Sequence, residues 1–230
     1  MLDAVEHGSA VEIVERDDGF IAASQVSSEL YLAPFRKWPS IQRRAMRFAR
    51  GRVLDVGAGG GRVALHLQER GLDVVSIDVS PGAIAICRRR GVEDAREVGI
   101  DDVDESLGAF DTIVMFGNNF GLFASRAKAK RLLRRFHRLT SERGRILAET
   151  RDVHQTDDPA HLAYQARNVE RGRMPGQVRI RVRYRLATTP WFDYLMVSRA
   201  ELEELVAGTG WHVARTVGEG EMYVAVLEKR

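Results

Sequence analysis

Residues 52–80, RVLDVGAGGGRVALHLQERGLDVVSIDVS, decide the fold of this chain. Arg52 to Val56 is the short apolar run of a buried parallel strand. Gly57, Gly59 and Gly61 then let the backbone turn sharply and approach a ligand closely. Val63 to Arg70 has helical periodicity, with Val63, Leu67 and Leu65 placed to face inward, and Gly71 stops it where a C-terminal glycine belongs. Leu72 to Ile77 reads as a second buried strand, with Asp78 at its carboxyl end. Strand, glycine loop, helix and acid-terminated strand together form half of a nucleotide-binding fold.

Two classes of cofactor use such a half. A dinucleotide site wants G-x-G-x-x-G. Here the third glycine position is Arg62, and the glycines fall as G-x-G-x-G instead. Asp55 precedes the loop by two residues, where it would repel a pyrophosphate but suit a ligand bearing an ammonium group. The run Asp55-Val56-Gly57-Ala58-Gly59-Gly60-Gly61, followed by Asp78, resembles the class I S-adenosylmethionine-dependent methyltransferases. Their first motif is D/E-x-G-x-G-x-G, and an acid ending the second strand holds the ribose hydroxyls.

The resemblance covers about residues 51–150 and 198–230. It implies an α/β fold: a Rossmann-like, doubly wound seven-stranded sheet with its last strand antiparallel. It also implies that Asp55 and the loop Gly57, Ala58 and Gly59 face the methionine half of S-adenosylmethionine. Asp78 would take the ribose, and Val79 and Ile100 would pack on the adenine. Many relatives end the third strand with an acid, but Gly99 stands in that position here. Asp101 or Asp102 is then left to reach the adenine amino group. Gly117, Asn118 and Asn119 resemble the G-N-S-type loop of small-molecule N-methyltransferases and are expected near the methyl group. The N-P-P-Y-type signature of many nucleic-acid and protein-glutamine methyltransferases is missing.

The 230 residues suffice for one domain with a sizeable core, and the net charge of +3 is small. The basic residues are mostly arginine, with only four lysines, a pattern also expected from a compositional habit of the source genome. No apolar run approaches the length of a membrane span. The first residues, MLDAVEHGSAVEIVE, carry acids and no hydrophobic core, so no secretory signal is expected. Cys87 is the only cysteine. It excludes an internal disulfide, reads as a small core residue, and fits a reducing cytoplasm. No His/Cys cluster has metal-site spacing, so no metal is expected.

Along the chain, Val11 to Ala22 reads as two short strands around Asp17-Asp18-Gly19. Ser27 to Ala49 reads as largely helical, broken by Pro34 and Pro39. Arg43, Arg44, Arg47 and Arg50 form a basic face on it. Tyr31, Phe35 and Trp38 either fold over a cofactor mouth, as the segment before the first strand does in similar enzymes, or pin this arm to the core. Ser80 caps a helix through Arg90, Ala95 to Val98 is a third strand, and Phe110 to Phe116 a fourth. Ser125 to Ser141 is an amphipathic helix with the stripe Leu132, Leu133, Phe136 and Leu139. Gly144 to Thr150 is the fifth strand.

Residues 151–197 exceed a simple strand-to-helix connection. Pro159 to Arg171 reads as a helix. From Gly176 the chain alternates strictly, with Val178, Ile180, Val182, Tyr184 and Leu186 on one face and Arg179, Arg181, Arg183 and Arg185 on the other. Trp191 to Val197 returns antiparallel. The arginine face is either a charged exposed strand or, through Arg181, an anion clamp. Asp152, His154, His161 and Tyr164 lie just past the fifth strand. Ser198 to Ala207 begins with a capping box, and Trp211 to Val217 pairs with Met222 to Glu228.

The expectation is one methyltransferase domain over residues 1–230. Residues 1–50 are an N-terminal arm, 51–150 and 198–230 the core, and 151–197 an inserted helix-hairpin cap. The expected reaction moves a methyl group from S-adenosylmethionine to a small-molecule N or O acceptor, leaving S-adenosylhomocysteine. Candidate catalytic residues are Asn118, Asn119 and His154. Candidate acceptor-binding residues are Tyr31, Trp38, Asn118, Asn119 and Arg181. The near-balanced charge and the lack of an RNA-binding appendage speak against nucleic acid, and no membrane partner is expected. The rival readings are an RNA methyltransferase, a non-catalytic S-adenosylmethionine-binding protein and a nicotinamide enzyme. Monomer and homodimer both remain open.

Overall fold

In the computed structural model, residues 8–27 and 31–230 are described, and for 9, 10 and 24–27 the backbone alone. The expected buried strands are all present: β3 (Val53–Val56), β4 (Val74–Asp78), β5 (Asp94–Glu97), β6 (Phe110–Met115) and β7 (Thr140–Arg151). They join β11 (Trp211–Val217) and β12 (Met222–Lys229) in a seven-stranded sheet of order β11-β12-β7-β6-β3-β4-β5. Pairing is parallel from β5 through β7, and β12 runs antiparallel to β7. This is the doubly wound, Rossmann-like arrangement.

Successive residues of each central strand serve opposite faces. Val53, Val114 and Leu147 pack beneath α1 (Ser40–Ala45), α2 (Arg62–Glu69) and α3 (Pro81–Arg89), through Ala45, Ala64, Leu67, Ile84 and Cys87. Leu54, Ile113 and Ile146 pack on the other face against α4 (Arg126–Arg138) and α6 (Arg199–Val206), through Leu132, Phe136 and Leu202. The helix caps follow the sequence. Ser80 accepts the Ala83 N–H at the start of α3, Ser125 accepts that of Lys128, and Ser198 and Glu201 close a reciprocal capping box. Each cap satisfies a backbone donor that the first turn otherwise leaves bare.

The stretch from Ser27 to Ala49 is helical in short pieces, as expected: residues 28–30 lie outside the described residues, residues 31–32 are helical, and α1 follows between 3-10 turns at Phe35–Lys37 and Met46–Phe48. Pro34 and Pro39 fix extended or turn backbone on either side of the first turn and prevent continuous winding. The arm and the insert share a sheet. β1 (Ser9–Arg16) and β2 (Ile21–Ser27) form the expected hairpin, but β1 pairs antiparallel with β8 (Gln177–Tyr184) of the insert. With β9 (Ala187–Thr188) and β10 (Phe192–Leu195) they make a second sheet of five strands, ordered β10-β8-β1-β2 with β9 on β8. The insert's helix α5 (Pro159–Glu170) ties to this sheet. Tyr164 donates to Asp17 at 2.6 Å and accepts the Arg179 N–H at 3.0 Å.

Candidate functional site

The carboxyl ends of β3, β6 and β7 face the second sheet across a cavity of about 1410 Å³. Ligand sites of ordinary small molecules occupy about 300–1,000 Å³, so this space is larger than one such site. Its floor is the glycine loop, the Phe116–Asn119 turn and Glu149; its roof is Val14, Ala22, Val178, Ile180, Tyr194 and α5.

The glycine loop is built for close approach. Gly57 has φ +76°, and a Cβ there would stand 2.3 Å from Asn119 Nδ2. That amide donates to the Val56 and Gly57 carbonyls at 2.9 and 3.1 Å. Asn119 is therefore a strut binding the second loop to the first, and it lines the cavity as well. At the end of β4, Asp78 accepts the Gly59 N–H at 3.0 Å and the Ser80 N–H at 2.9 Å. Both carboxylate oxygens are thus anchored, and the loop is pinned to the strand that ends beside it.

Asp55 is the exception to this saturation. It is 2% exposed, it lines the cavity, and its Oδ2 has no hydrogen-bond partner. Burial drives its pKa up to about 7, against the pull of the Arg62 guanidinium and with added repulsion from Asp78. A buried, unpartnered carboxylate is costly unless a cation joins it. The ammonium of a methionine moiety is such a cation, so this residue fits the cofactor that the sequence motif implies. A second orphan lies beside it: Oδ1 of Asn118 is buried without a partner. Asn118 holds a left-handed conformation, φ +63°, between Gly117 and the following 3-10 turn.

The surface beyond Asp78, where the sequence motif would place an adenine, is open. Val79 is 71% exposed just beyond Asp78, an uncovered apolar surface of the kind a purine ring covers. A Cβ on Gly99 would meet Asp102 Oδ2 at 2.9 Å and Val79 Cγ1 at 3.4 Å. Asp102 therefore packs close over Gly99, beside Val79. The Asp101 carboxylate pairs with Lys128 and with Arg131 of α4, at 2.5 and 3.0 Å. Ile100 packs partly on the core below.

Tyr31 and Trp38 both line the cavity. Burial raises the Tyr31 hydroxyl pKa, and the carboxylates of Glu12 and Asp78 add to the effect. Trp38 pins the arm to the core and also lines the cavity. It is buried, donates from Nε1 to the Ala33 carbonyl at 2.8 Å, and packs against Phe35, while Arg62 lies over its ring at 4.5 Å.

The cofactor candidates Asp78, Val79, Ile100 and Asp101 do not line this cavity, and neither do the acceptor-side candidates Arg181 and His154. Arg181 lies on the outer face of β8, where Glu15 of β1 binds its guanidinium at 2.8 and 3.0 Å. Strand alternation sends Val178 and Ile180 inward instead, so the arginine face is a cross-strand ion-pair surface rather than an anion clamp. His154 is half exposed and its Nε2 sits 3.3 Å from the capping-box carboxylate of Glu201. Its neighbours Asp152, Gln155 and His161 line the cavity in its stead.

The sequence reading missed Glu149, Gln42, Arg62 and Tyr194. Glu149 accepts Gln42 Nε2 at 2.7 Å and the Gly117 N–H at 2.6 Å, Arg62 donates to Gln42 at 2.8 Å, and the Tyr194 hydroxyl donates to the Asn118 carbonyl at 2.5 Å. A glutamate in the otherwise apolar strand ILAET was the one visible signal. Among the described residues no group of three or more His, Cys, Asp or Glu could hold a metal ion, and no helix is long and apolar enough to cross a membrane.

Comparison with known proteins agrees with this geometry. The family profile described as "Methyltransferase domain" matches residues 53–144. The crystal structure of an S-adenosylmethionine-dependent methyltransferase from Bacteroides fragilis, in complex with S-adenosylhomocysteine, superposes with a TM-score of 0.81 at 27% identity, over 99% of this chain and 92% of that one. A protein of Geobacillus sp. (strain WCH70) that carries a methyltransferase name is 26% identical over 140 residues, 56% of this chain and 55% of its own. The demethylmenaquinone methyltransferase of Thermus thermophilus is 35% identical over 111 residues, 45% of this chain and 48% of its own. The chain thus spans about half the length of these two curated relatives.

Proposed function

We infer from its membership of the class I S-adenosylmethionine-dependent methyltransferases, to which this chain belongs, that the protein transfers a methyl group from S-adenosylmethionine to a small-molecule N or O acceptor. The observation that carries this reading is Asp55: a buried carboxylate with an unpartnered oxygen, in the wall of a cavity roofed by a second sheet.

When bound, S-adenosylmethionine supplies an electrophilic methyl group on a sulfonium. The chain's own groups bind, orient and keep the site dry. Asp55 takes the ammonium, and Asp78, already fixed by the Gly59 and Ser80 N–H groups, offers its remaining lone pairs to the ribose. Val79 and Asp102 receive the adenine. Val14, Val178 and Ile180 give the acceptor an apolar ceiling. Size supports a small acceptor, since the cavity exceeds one ordinary ligand and is covered by the protein's own strands. RNA finds little here, because Arg181 and Arg183 are engaged by Glu15, and Arg179 and Arg173 by Asp193.

The test is calorimetric titration with S-adenosylmethionine and then S-adenosylhomocysteine, beside Asp78→Ala. Micromolar binding that weakens at least about thirtyfold in the variant is expected, a loss of about 2 kcal/mol, as for hydrogen bonds to a charged group. A wild-type protein that ignores both ligands and binds NAD contradicts the reading.

A further inference from the structure

Glu149 is the second carboxylate buried at the edge of the seven-stranded sheet, and its surroundings invert those of Asp55. It is 3% exposed and lines the cavity. Its Oε2 is fixed by the Gly117 N–H and by Gln42 Nε2. The Asn118 N–H and the Arg62 guanidinium face it as well, and from the roof Tyr194 feels its charge. The three donors and the Arg62 charge favour the carboxylate, yet burial outweighs them and keeps its pKa above the ordinary glutamate value. The result is a rigidly held carboxylate that is more basic than a free one.

Strand order assigns Glu149 its side of the site. Asp78 ends β4, Asp55 lies in β3, the Gly117–Asn119 turn follows β6, and Glu149 lies in β7, so the groups cross the sheet edge in that order. On the function proposed above, on which this inference rests, ribose and ammonium occupy the first two places and the methyl group points toward the third. Glu149 stands beyond it, where the acceptor enters. Of the cavity's guanidinium groups, Arg16 is paired with Asp18 and Arg151 with Glu221, while Arg62, hydrogen-bonded to the neutral Gln42 amide, divides its charge between Asp55 and Glu149. An anionic acceptor would meet the Glu149 charge, and the one guanidinium that faces it is shared with Asp55.

We propose that Glu149 is the catalytic residue that receives the acceptor's proton, and that the acceptor is a neutral O–H or N–H nucleophile on an apolar body rather than a carboxylate. In the transfer, the lone pair of the acceptor O or N forms the new bond to the methyl carbon. The carbon–sulfur bond breaks with its electron pair left on sulfur, giving the neutral thioether. The proton of the acceptor O–H or N–H passes to Glu149, which returns it to water.

The probes are 4-propylphenol, 4-propylaniline and 4-propylbenzoate, one skeleton with three head groups. Binding of S-adenosylhomocysteine is measured first; its absence in the wild type would refute the proposed function and not this inference. Each probe is then titrated into the loaded protein, and S-adenosylhomocysteine formation is followed with S-adenosylmethionine and each probe. The phenol or the aniline is expected to bind at least tenfold more tightly than the benzoate and to be methylated. Glu149→Gln should cut that turnover at least a hundredfold, raise benzoate affinity about tenfold, and still bind S-adenosylhomocysteine. Glu149→Asp, which keeps the charge but withdraws it by one methylene, should keep benzoate out and serves if Glu149→Gln fails to fold. Benzoate binding as tightly as the neutral probes, none of the three binding or being methylated, or unchanged turnover in Glu149→Gln would each overturn the proposal.

Discussion

The floor and the roof of the cavity are built by opposite means. The floor comes from loops that directly follow neighbouring parallel strands, and it leaves polar atoms unsatisfied: Asp55 Oδ2 and Asn118 Oδ1. The roof joins strands from the two ends of the chain, with Glu15 and Arg181 meeting across 166 positions, and its charges are largely spent on one another. Arg16 is held by Asp18 at 2.8 Å between the rings of Phe20 and Tyr164, 4.7 and 4.2 Å away. Unsatisfied groups await a ligand; satisfied ones hold a shape. The floor therefore carries the cofactor chemistry and the roof the volume and polarity that an acceptor meets.

Substitutions on either side can break this contrast. The largest effect is expected at Asp55. Asp55→Asn should weaken S-adenosylmethionine at least about a hundredfold, as loss of a buried charge partner costs about 3–5 kcal/mol. The same change should stabilise the ligand-free protein at pH 8. The folded-state pKa of about 7 lies above the ordinary 3.8, so the folded chain keeps a proton that the unfolded chain has lost. Stability therefore falls as pH rises through that window, by up to about 4 kcal/mol for about three pH units. Asn removes that slope, and urea unfolding at pH 5 and pH 8 measures it.

Next is the seam between floor and roof. A Cβ on Gly121 would lie 2.1 Å from the Tyr194 ring, so Gly121→Ala should cost about 1–3 kcal/mol in thermal or urea unfolding by overpacking. Tyr194→Phe deletes only the hydrogen bond to Asn118 and should cost about 1 kcal/mol, lowering acceptor turnover more than cofactor affinity. The smallest effect is expected at Arg181. Its bond to Glu15 is exposed to solvent screening, and Arg181→Ala should leave both the cofactor titration and the thermal midpoint in place. A large loss of cofactor affinity there would break the division between floor and roof.

The same contrast explains what the sequence reveals. In the floor each functional group sits within a few residues of the strand that positions it, so Asp55, the glycines and Asp78 can be read from one 29-residue run. The inward and outward faces of β8 were equally legible, because alternation is local. Which strand β8 would join was not, since nothing in residues 9–16 names a partner beyond residue 176. Arg181 is the consequence: its outward face was visible, but Glu15 was not. The partner of His154 is equally hidden in the sequence, because Glu201 belongs to α6, 47 positions on. Glu149 and Gln42 escaped notice because a carboxylate in a strand and an amide in a short helix acquire meaning only when 107 positions of chain bring them together.

The most direct test of the central claim, that Asp55 stands unpaired in the apoprotein and waits for the cofactor's ammonium, is calorimetry of S-adenosylmethionine binding at pH 6 in two buffers of different ionisation enthalpy. At that pH the free protein holds a proton on Asp55, and an arriving ammonium must displace it. The account predicts release of close to one proton per cofactor bound by the wild type and none by Asp55→Asn. Equal heats in both buffers for the wild type would contradict it.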